Sequence, residues 1–100
     1  MYARVTSGQF QPDTLDELMP YFDAAARQQQ GMKGFASTRL LIDRAANNYL
    51  VVTVFETLAD LQTSETVPRQ LLADLHVAAA LAGRPVVAVY EVAVQLARPI

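Results

Sequence analysis

The chain has 100 residues, of which 52% are hydrophobic and 18% charged, so it is long enough for one domain, residues 1–100, and too short for two. It contains no cysteine, which excludes disulfides, thiolate metal sites and a cysteine nucleophile and favours a cytoplasmic location. Its net charge of −2 comes without a basic run, and no stretch reaches about 18 apolar residues, which argues against nucleic-acid and membrane partners.

The N-terminal third predicts a strand followed by a helix. Residues 2–10 alternate loosely and include Tyr, Val, Thr and Phe, a pattern typical of a strand. Thr14 and Glu17 then have the spacing of a capping box. Pro20 predicts a kink in the helix that follows, and Gly31 predicts its end in a left-handed turn. The apolar residues at helical spacing along it are Leu15, Leu18, Met19, Phe22, Ala25 and Ala26.

The middle of the chain predicts a β-hairpin. Residues 35–43 have the composition of a strand, and residues 49–56 form the most strand-like segment of the sequence, since β-branched and aromatic residues follow one another there. Asn47 and Asn48 tolerate positive φ, so a loop of four or five residues is expected between the two strands.

The last third predicts helices and a final strand. Thr57 resembles a helix start, and Pro68 divides the helical region. Gly83 suits the C-terminal end of a second, longer helix. Residues 86–96 then predict strand four, and residues 98–100 a short tail. The residues expected to face inward from the longer helix are Leu71, Leu72, Leu75, Ala78, Ala79 and Ala82.

The order β-α-β-β-α-β predicts an α+β fold of the ferredoxin-like type, with a four-stranded antiparallel sheet and both helices on one side. Strand four nevertheless offers apolar residues on both faces, Val86 and Ala88 on one and Val87 and Val89 on the other. Two helices can cover only one face of the sheet. We therefore expect the other face to pack on a second copy in a homodimer, with a monomer bearing exposed valines as the alternative.

Short motifs along nearly the whole chain support a family resemblance. GMKGF at residues 31–35 precedes a strand, LVVTVFET follows at 50–57, and AGRP at 82–85 precedes the VYEV of residues 89–92. This layout resembles the antibiotic biosynthesis monooxygenase family of dimeric α/β barrels. The resemblance implies two ferredoxin-like protomers that pair sheet to sheet. It also implies either cofactor-free monooxygenation of aromatic polyketides or quinols, or haem degradation, since the family contains both activities.

The pattern of the haem-degrading members is incomplete in this chain. Those members carry an asparagine on strand one, a tryptophan in the second helical region and a histidine further along. Here strand one offers Thr6 and Ser7, tryptophan is absent, and Phe55 stands where many relatives carry a Trp-Glu pair. His76 alone lies near the position of the family's histidine. Haem degradation is therefore not expected, and no haem, metal, flavin or nicotinamide cofactor is predicted.

Five residues are candidates for a site. His76, the single histidine, is a candidate general base for a phenolic substrate, although its place beside the apolar stripe suits a structural role equally well. Tyr49 and Tyr90 offer strand hydroxyls that could orient a phenol or quinone oxygen, or could serve packing alone. Phe55 is a candidate aromatic contact with the substrate.

Arg39, the fifth candidate, and Arg4 both lie on strands where half-burial is expected. A half-buried arginine needs a carboxylate or an anionic ligand. Glu56 or Glu91 could supply that carboxylate, and the sequence leaves the choice open.

Taken with the resemblance, these residues predict a cofactor-independent monooxygenase acting on a small aromatic or quinol-type substrate. Such chemistry requires a dry apolar pocket in which an electron-rich anion meets dioxygen. The alternative is a non-catalytic dimeric module of the same fold that binds or senses a small apolar or aromatic ligand.

Overall fold

A computed structural model describes residues 1–99 and contains one antiparallel sheet of four strands in the order β2-β3-β1-β4. This is the predicted ferredoxin-like α+β fold. Within the described residues, every helix falls short of the length and apolar character needed to cross a membrane. The elements in chain order are β1 (Tyr2–Gln9), α1 (Leu15–Gln30), β2 (Phe35–Asp43), β3 (Asn48–Phe55), α2 (Leu58–Thr63), α3 (Thr66–Ala73), α4 (Leu75–Ala80) and β4 (Val86–Glu91).

The register of the sheet determines which residues share a face. Arg4 on β1 pairs with Thr53 on β3 and with Val89 on β4, and these side chains lie on the face that the helices cover. We call this the helix face. The opposite face, the open face, carries the alternate residues of every strand, among them Ala3, Val5, Val52, Val54, Arg39, Leu41, Ala88 and Tyr90.

The main core lies at the end of the sheet where β1 leads into α1. Its buried members come from β3, α1, α4 and the segments that join them: Phe10, Leu15, Leu18, Tyr49, Val77, Ala80 and Leu81. A single bridge between Phe10 and Leu81 holds the two joining segments together. Burial of these large apolar side chains against one another is the main source of stability in such a small domain.

The start and end of α1 differ from the sequence prediction. The Thr14 hydroxyl caps no helical amide and donates instead to the carbonyl oxygens of Gln11 at 2.6 Å and Ala80 at 3.2 Å, so the predicted capping box is wrong. Gly31 ends the helix at φ −81°, in the right-handed region. The left-handed turn falls three residues later, at Gly34 with φ +79°. Pro20 lies within the continuous helix and does not break it, and the kink there stays a prediction.

Pro68 does not divide the helical region as predicted, because it lies in the first turn of α3, where a proline is tolerated. The predicted longer helix is two helices, α3 and α4, separated by Asp74. Asp74 has an extended backbone, and its carboxylate accepts hydrogen bonds from the amides of His76 at 2.8 Å and Val77 at 3.4 Å. It therefore ends one helix and caps the next. The change of axis puts Leu75 into solvent with 84% of its surface exposed and buries Val77, so the predicted inward stripe holds only as far as α3.

The fourth strand ends five residues earlier than predicted, at Glu91 rather than Leu96. Its ladder follows β1, and Glu91 pairs with Tyr2, the first residue of that strand. One further hydrogen bond joins the Val92 amide to the Met1 carbonyl at 2.9 Å, after which β1 offers no partner. Residues 93–99 continue exposed, and Ile100 at the end of the predicted tail lies outside the described residues.

Candidate functional site

A cavity of about 100 Å³ lies between the helix face of the sheet and helices α1 and α3. Its lining is mostly apolar and includes Phe22, Leu40, Val51, Leu71 and Leu72. An engineered apolar cavity of about 150 Å³ in another protein binds benzene. The cavity is partly open to solvent, so it suits a small aromatic ligand whose outer part reaches towards the mouth.

Arg4 is the charged residue of the cavity lining. Only 4% of its surface is exposed. Its Nη1 donates to the carbonyl oxygen of Leu61 at 3.2 Å and to the hydroxyl of Ser64 at 3.0 Å, and its Nη2 donates to Oε1 of Gln29 at 2.8 Å. Burial lowers the pKa of Arg4 from its ordinary value, and the nearby Glu65 carboxylate partly opposes this effect. Arg4 thus ties β1 to the end of α1 and to α2.

Two threonine hydroxyls form a second polar group in the lining. Thr38 on β2 and Thr53 on β3 lie opposite one another in the sheet, and their Oγ1 atoms are 2.9 Å apart. One hydroxyl donates to the other, which leaves the second hydroxyl hydrogen free to reach a ligand. The pair offers the cavity a donor and an acceptor.

Tyr49 brings a third polar group to the cavity. Its ring lies across Gly8 of β1, where an added Cβ would be 2.6 Å from the hydroxyl oxygen, and its centroid is 5.7 Å from that of Phe22. Burial raises the pKa of Tyr49 above its ordinary value. Burial thus favours the protonated phenol, which is able to donate a hydrogen bond.

The structure brings one of the five predicted site residues, Tyr49, to this cavity. Phe55 is fully buried and packs edge-on against Phe35, with ring centroids 5.7 Å apart. Arg39 and Tyr90 are exposed on the open face. The binding roles of these residues stay predictions.

His76 lies in a different place. It is exposed on α4 and borders a shallow groove that Glu17 and Tyr21 of α1 also line. Its predicted role as a base also stays a prediction, now for a group outside the cavity. Within residues 1–99, no three His, Cys, Asp or Glu side chains lie close enough together to hold a metal ion.

The sequence interpretation missed the residues that surround Arg4. Of the two alternatives that the sequence left open for Arg4, a carboxylate of Glu56 or Glu91 is not among its hydrogen-bond partners, which are neutral acceptors on other elements. Gln29 belongs to a run of three glutamines at residues 28–30, a composition that predicts a solvated helix end, yet it is buried. The sequence did indicate that Gln29 is buried. Residue 29 follows Ala25 and Ala26 at spacings of four and three and so continues the apolar stripe of α1.

Comparison with known proteins identifies the fold. No protein-family model matches the sequence, and no curated protein is significantly similar to it. Solved structures do match: a protein from Nitrosomonas europaea assigned by name to the antibiotic biosynthesis monooxygenases has a TM-score of 0.80 at 12% identity, covering 94% of this chain and 100% of that one. A similarly named protein from Deinococcus radiodurans has a TM-score of 0.76 at 13% identity, covering 99% of each chain.

A third match carries a named activity. A variant of SnoaB, described as a cofactor-independent oxygenase from Streptomyces nogalater, has a TM-score of 0.76 at 16% identity, covering 97% of each chain. The similarity extends over whole chains, and identities this low establish shared architecture rather than shared chemistry. The chain therefore has the ferredoxin-like fold seen in structures named as antibiotic biosynthesis monooxygenases.

Proposed function

We propose that this protein is a cofactor-independent monooxygenase that oxidises a small aromatic, quinol-type substrate in the cavity between the sheet and α1 and α3. The observation that supports this most strongly is the cavity itself, an apolar lining with a few converging polar groups. That combination is the usual form of a small-molecule site. The fold is shared with a cofactor-independent oxygenase. This similarity favours oxygenation over simple ligand binding in the cavity.

The residues of the cavity suit such a reaction. A planar ring would lie against Phe22 and Leu71, while the protonated Tyr49 hydroxyl and the Thr38–Thr53 pair would hydrogen-bond the substrate oxygens. Apolar walls keep water from the electron-rich anion that dioxygen attacks. A dihydroxyarene and dioxygen then give a hydroxyquinone and water: one oxygen atom enters the ring, the other leaves in water, and the substrate supplies all the electrons.

Oxygen uptake with a panel of dihydroxy-aromatics, without added metal, flavin or nicotinamide, tests the activity. We expect uptake above the protein-free control. We also expect Ala26→Leu to raise KM or abolish uptake, because residue 26 lines the cavity and a larger side chain there occupies ligand space. Ala24→Leu makes the same change on an exposed position of α1 and should leave uptake unaltered. Uptake equal to the control for every substrate would refute the monooxygenase and favour the binding module.

The location of the reaction is tested with His76→Ala. Loss of a general base typically slows a reaction about 10²–10⁴-fold. Because His76 borders a groove separate from the cavity, a reaction in the cavity predicts unchanged uptake. A loss of that size would instead place the chemistry at the groove beside Tyr21 and confirm the role predicted from the sequence.

We also propose that two copies associate through their open faces. Leu41 and Tyr90 are exposed there, and Val5 and Val52 between them are only half-buried. A second copy presents a face of the same shape and apolar character, which is the simplest way to bury it.

A further inference from the structure

Within residues 1–99, Arg4 is buried without an ion-pair partner. The three acceptors that it contacts, in Leu61, Ser64 and Gln29, are all electrically neutral. Among the described residues that line the cavity there is no acidic side chain. The carboxylate of Glu65, at the start of α3, acts on Arg4 through its charge. Within residues 1–99 it forms no hydrogen bond with the guanidinium.

This arrangement is unusual for a buried arginine. Arginine is almost never fully buried unless it is paired, and taking a charge out of water costs several kcal/mol unless a partner compensates it. A guanidinium has five N–H donors. The hydrogen bonds within residues 1–99 occupy both N–H groups of Nη1 and one of Nη2. The Nε–H and the second N–H of Nη2 therefore have room for an acceptor, and the residue borders an apolar cavity.

We propose that Arg4 binds the ionised oxygen of a small aromatic anion in this cavity, so that the ligand is held as a phenolate or a carboxylate. The rest of the lining agrees with this assignment: apolar side chains such as Leu71 and Leu72 surround a planar ring, and Tyr49 can donate a further hydrogen bond. An anion supplies the missing negative charge, and its lone pairs fill the donors that remain. Binding of this kind selects aromatic anions over neutral aromatics of the same shape.

A catalytic role of Arg4, beyond anion binding, rests on the proposed function. A phenolate is a much better electron donor to dioxygen than a phenol. A buried cation that stabilises the phenolate lowers the pKa of the bound substrate, so the site can generate the reactive form at neutral pH without a strong base among the lining residues. Arg4 would then touch the reacting oxygen and act as a catalytic residue as well as a selective one.

Binding of 4-nitrophenol to the whole native protein tests the inference directly, because the anion absorbs visible light and the neutral form does not. We expect bound nitrophenol to ionise at a lower pH than free nitrophenol. The uncharged ether 4-nitroanisole should bind about tenfold more weakly or worse, the equivalent of one pKa unit. A parallel arm with 4-nitrobenzoate shows whether the site prefers a phenolate or a carboxylate. Equal binding of the two anions and the ether would overturn the inference.

Gln29→Glu tests directly whether the anion preference depends on the unpaired charge of Arg4. It keeps the size and position of the side chain 2.8 Å from Arg4 Nη2 and supplies the missing carboxylate, so the preference for anions should disappear while the fold is kept. Gln30→Glu adds the same charge to the next residue of α1, which is exposed, and should bind nitrophenolate as the native protein does. Undiminished anion preference in Gln29→Glu would also overturn the inference.

Arg4→Gln removes the charge itself and should abolish the preference, with circular dichroism to verify that the variant is folded. Because Gln29→Glu keeps every hydrogen bond of Arg4, the conclusion stands on that variant if Arg4→Gln fails to fold. The outcome is separable from the oxygenase activity. Nitrophenolate binding without oxygen uptake would refute the proposed function alone, whereas uptake without an anion preference would refute the role of Arg4 alone.

Discussion

Tyr49 shows how a single side chain depends on its neighbour across the sheet. Its ring can lie over β1 because the residue that it pairs with is Gly8, where any Cβ would collide with the phenol. The same close approach removes the hydroxyl from bulk water, and burial raises the pKa of Tyr49. A small residue on one strand thus permits a large one on the next, and the burial that results disfavours ionisation of the Tyr49 phenol.

The raised pKa of Tyr49 predicts a pH dependence of stability. A tyrosine that ionises less readily when folded contributes stability that is fully present below its unfolded pKa of 10.0 and is lost as pH rises through its folded value. The free energy of unfolding should therefore fall above about pH 10. Urea titrations of the native protein and Tyr49→Phe should show a shallower alkaline decline in the variant. Identical declines would show that ionisation of Tyr49 does not limit alkaline stability.

The turn between α1 and β2 illustrates how neighbouring elements restrict one position. Gly34 has φ +79°, a conformation that costs a residue with a Cβ roughly 1–2 kcal/mol. The Asp60 carboxylate of α2 lies against the place where that Cβ would be. The backbone also matters here, since the Gly34 carbonyl accepts a hydrogen bond from the Glu56 amide at 2.8 Å.

Two glycine substitutions separate backbone strain from crowding. Gly83 has φ +92°, and an added Cβ there meets no atom within 4 Å. Gly83→Ala should therefore lower the free energy of unfolding by about 1 kcal/mol, through backbone conformation alone. Gly34→Ala should lower it by about 2–3 kcal/mol, because Asp60 must also move. Chemical denaturation of both variants measures the difference, and equal losses would mean that the Asp60 contact costs nothing.

Several large apolar side chains of the sheet remain exposed, and on the open face these are Leu41, Val86 and Tyr90. Tyr90 retains 58% exposure on β4, the edge strand beside β1. The segment after β4 adds exposed apolar residues at Val94 and Leu96. Large contiguous apolar patches are uncommon on monomeric proteins and commonly belong to interaction sites, so these exposed side chains support the proposed homodimer.

Sedimentation at micromolar concentration tests the proposed homodimer, and we expect a species of twice the chain mass of 11.0 kDa. Val52→Asp places a charge in the centre of the open face, beside Arg39 in the ladder, so it should give a folded monomer. Leu75→Asp changes an exposed position on the helix side and should remain dimeric. A native protein that sediments only as a monomer would refute the dimer.

Hydrophobic periodicity and turn residues act over a few positions, so they were enough to predict the four strands, the first helix and the hairpin. The sequence also identified Tyr49 as a site candidate. The tertiary structure was needed to show that Asp74 divides the second helical region, that β4 ends opposite the start of β1, and that Gln29 rather than a glutamate meets Arg4. Those features depend on contacts between residues that are distant in the sequence. The burial and charge of the cavity arise from the same long-range contacts, which a local sequence pattern does not contain.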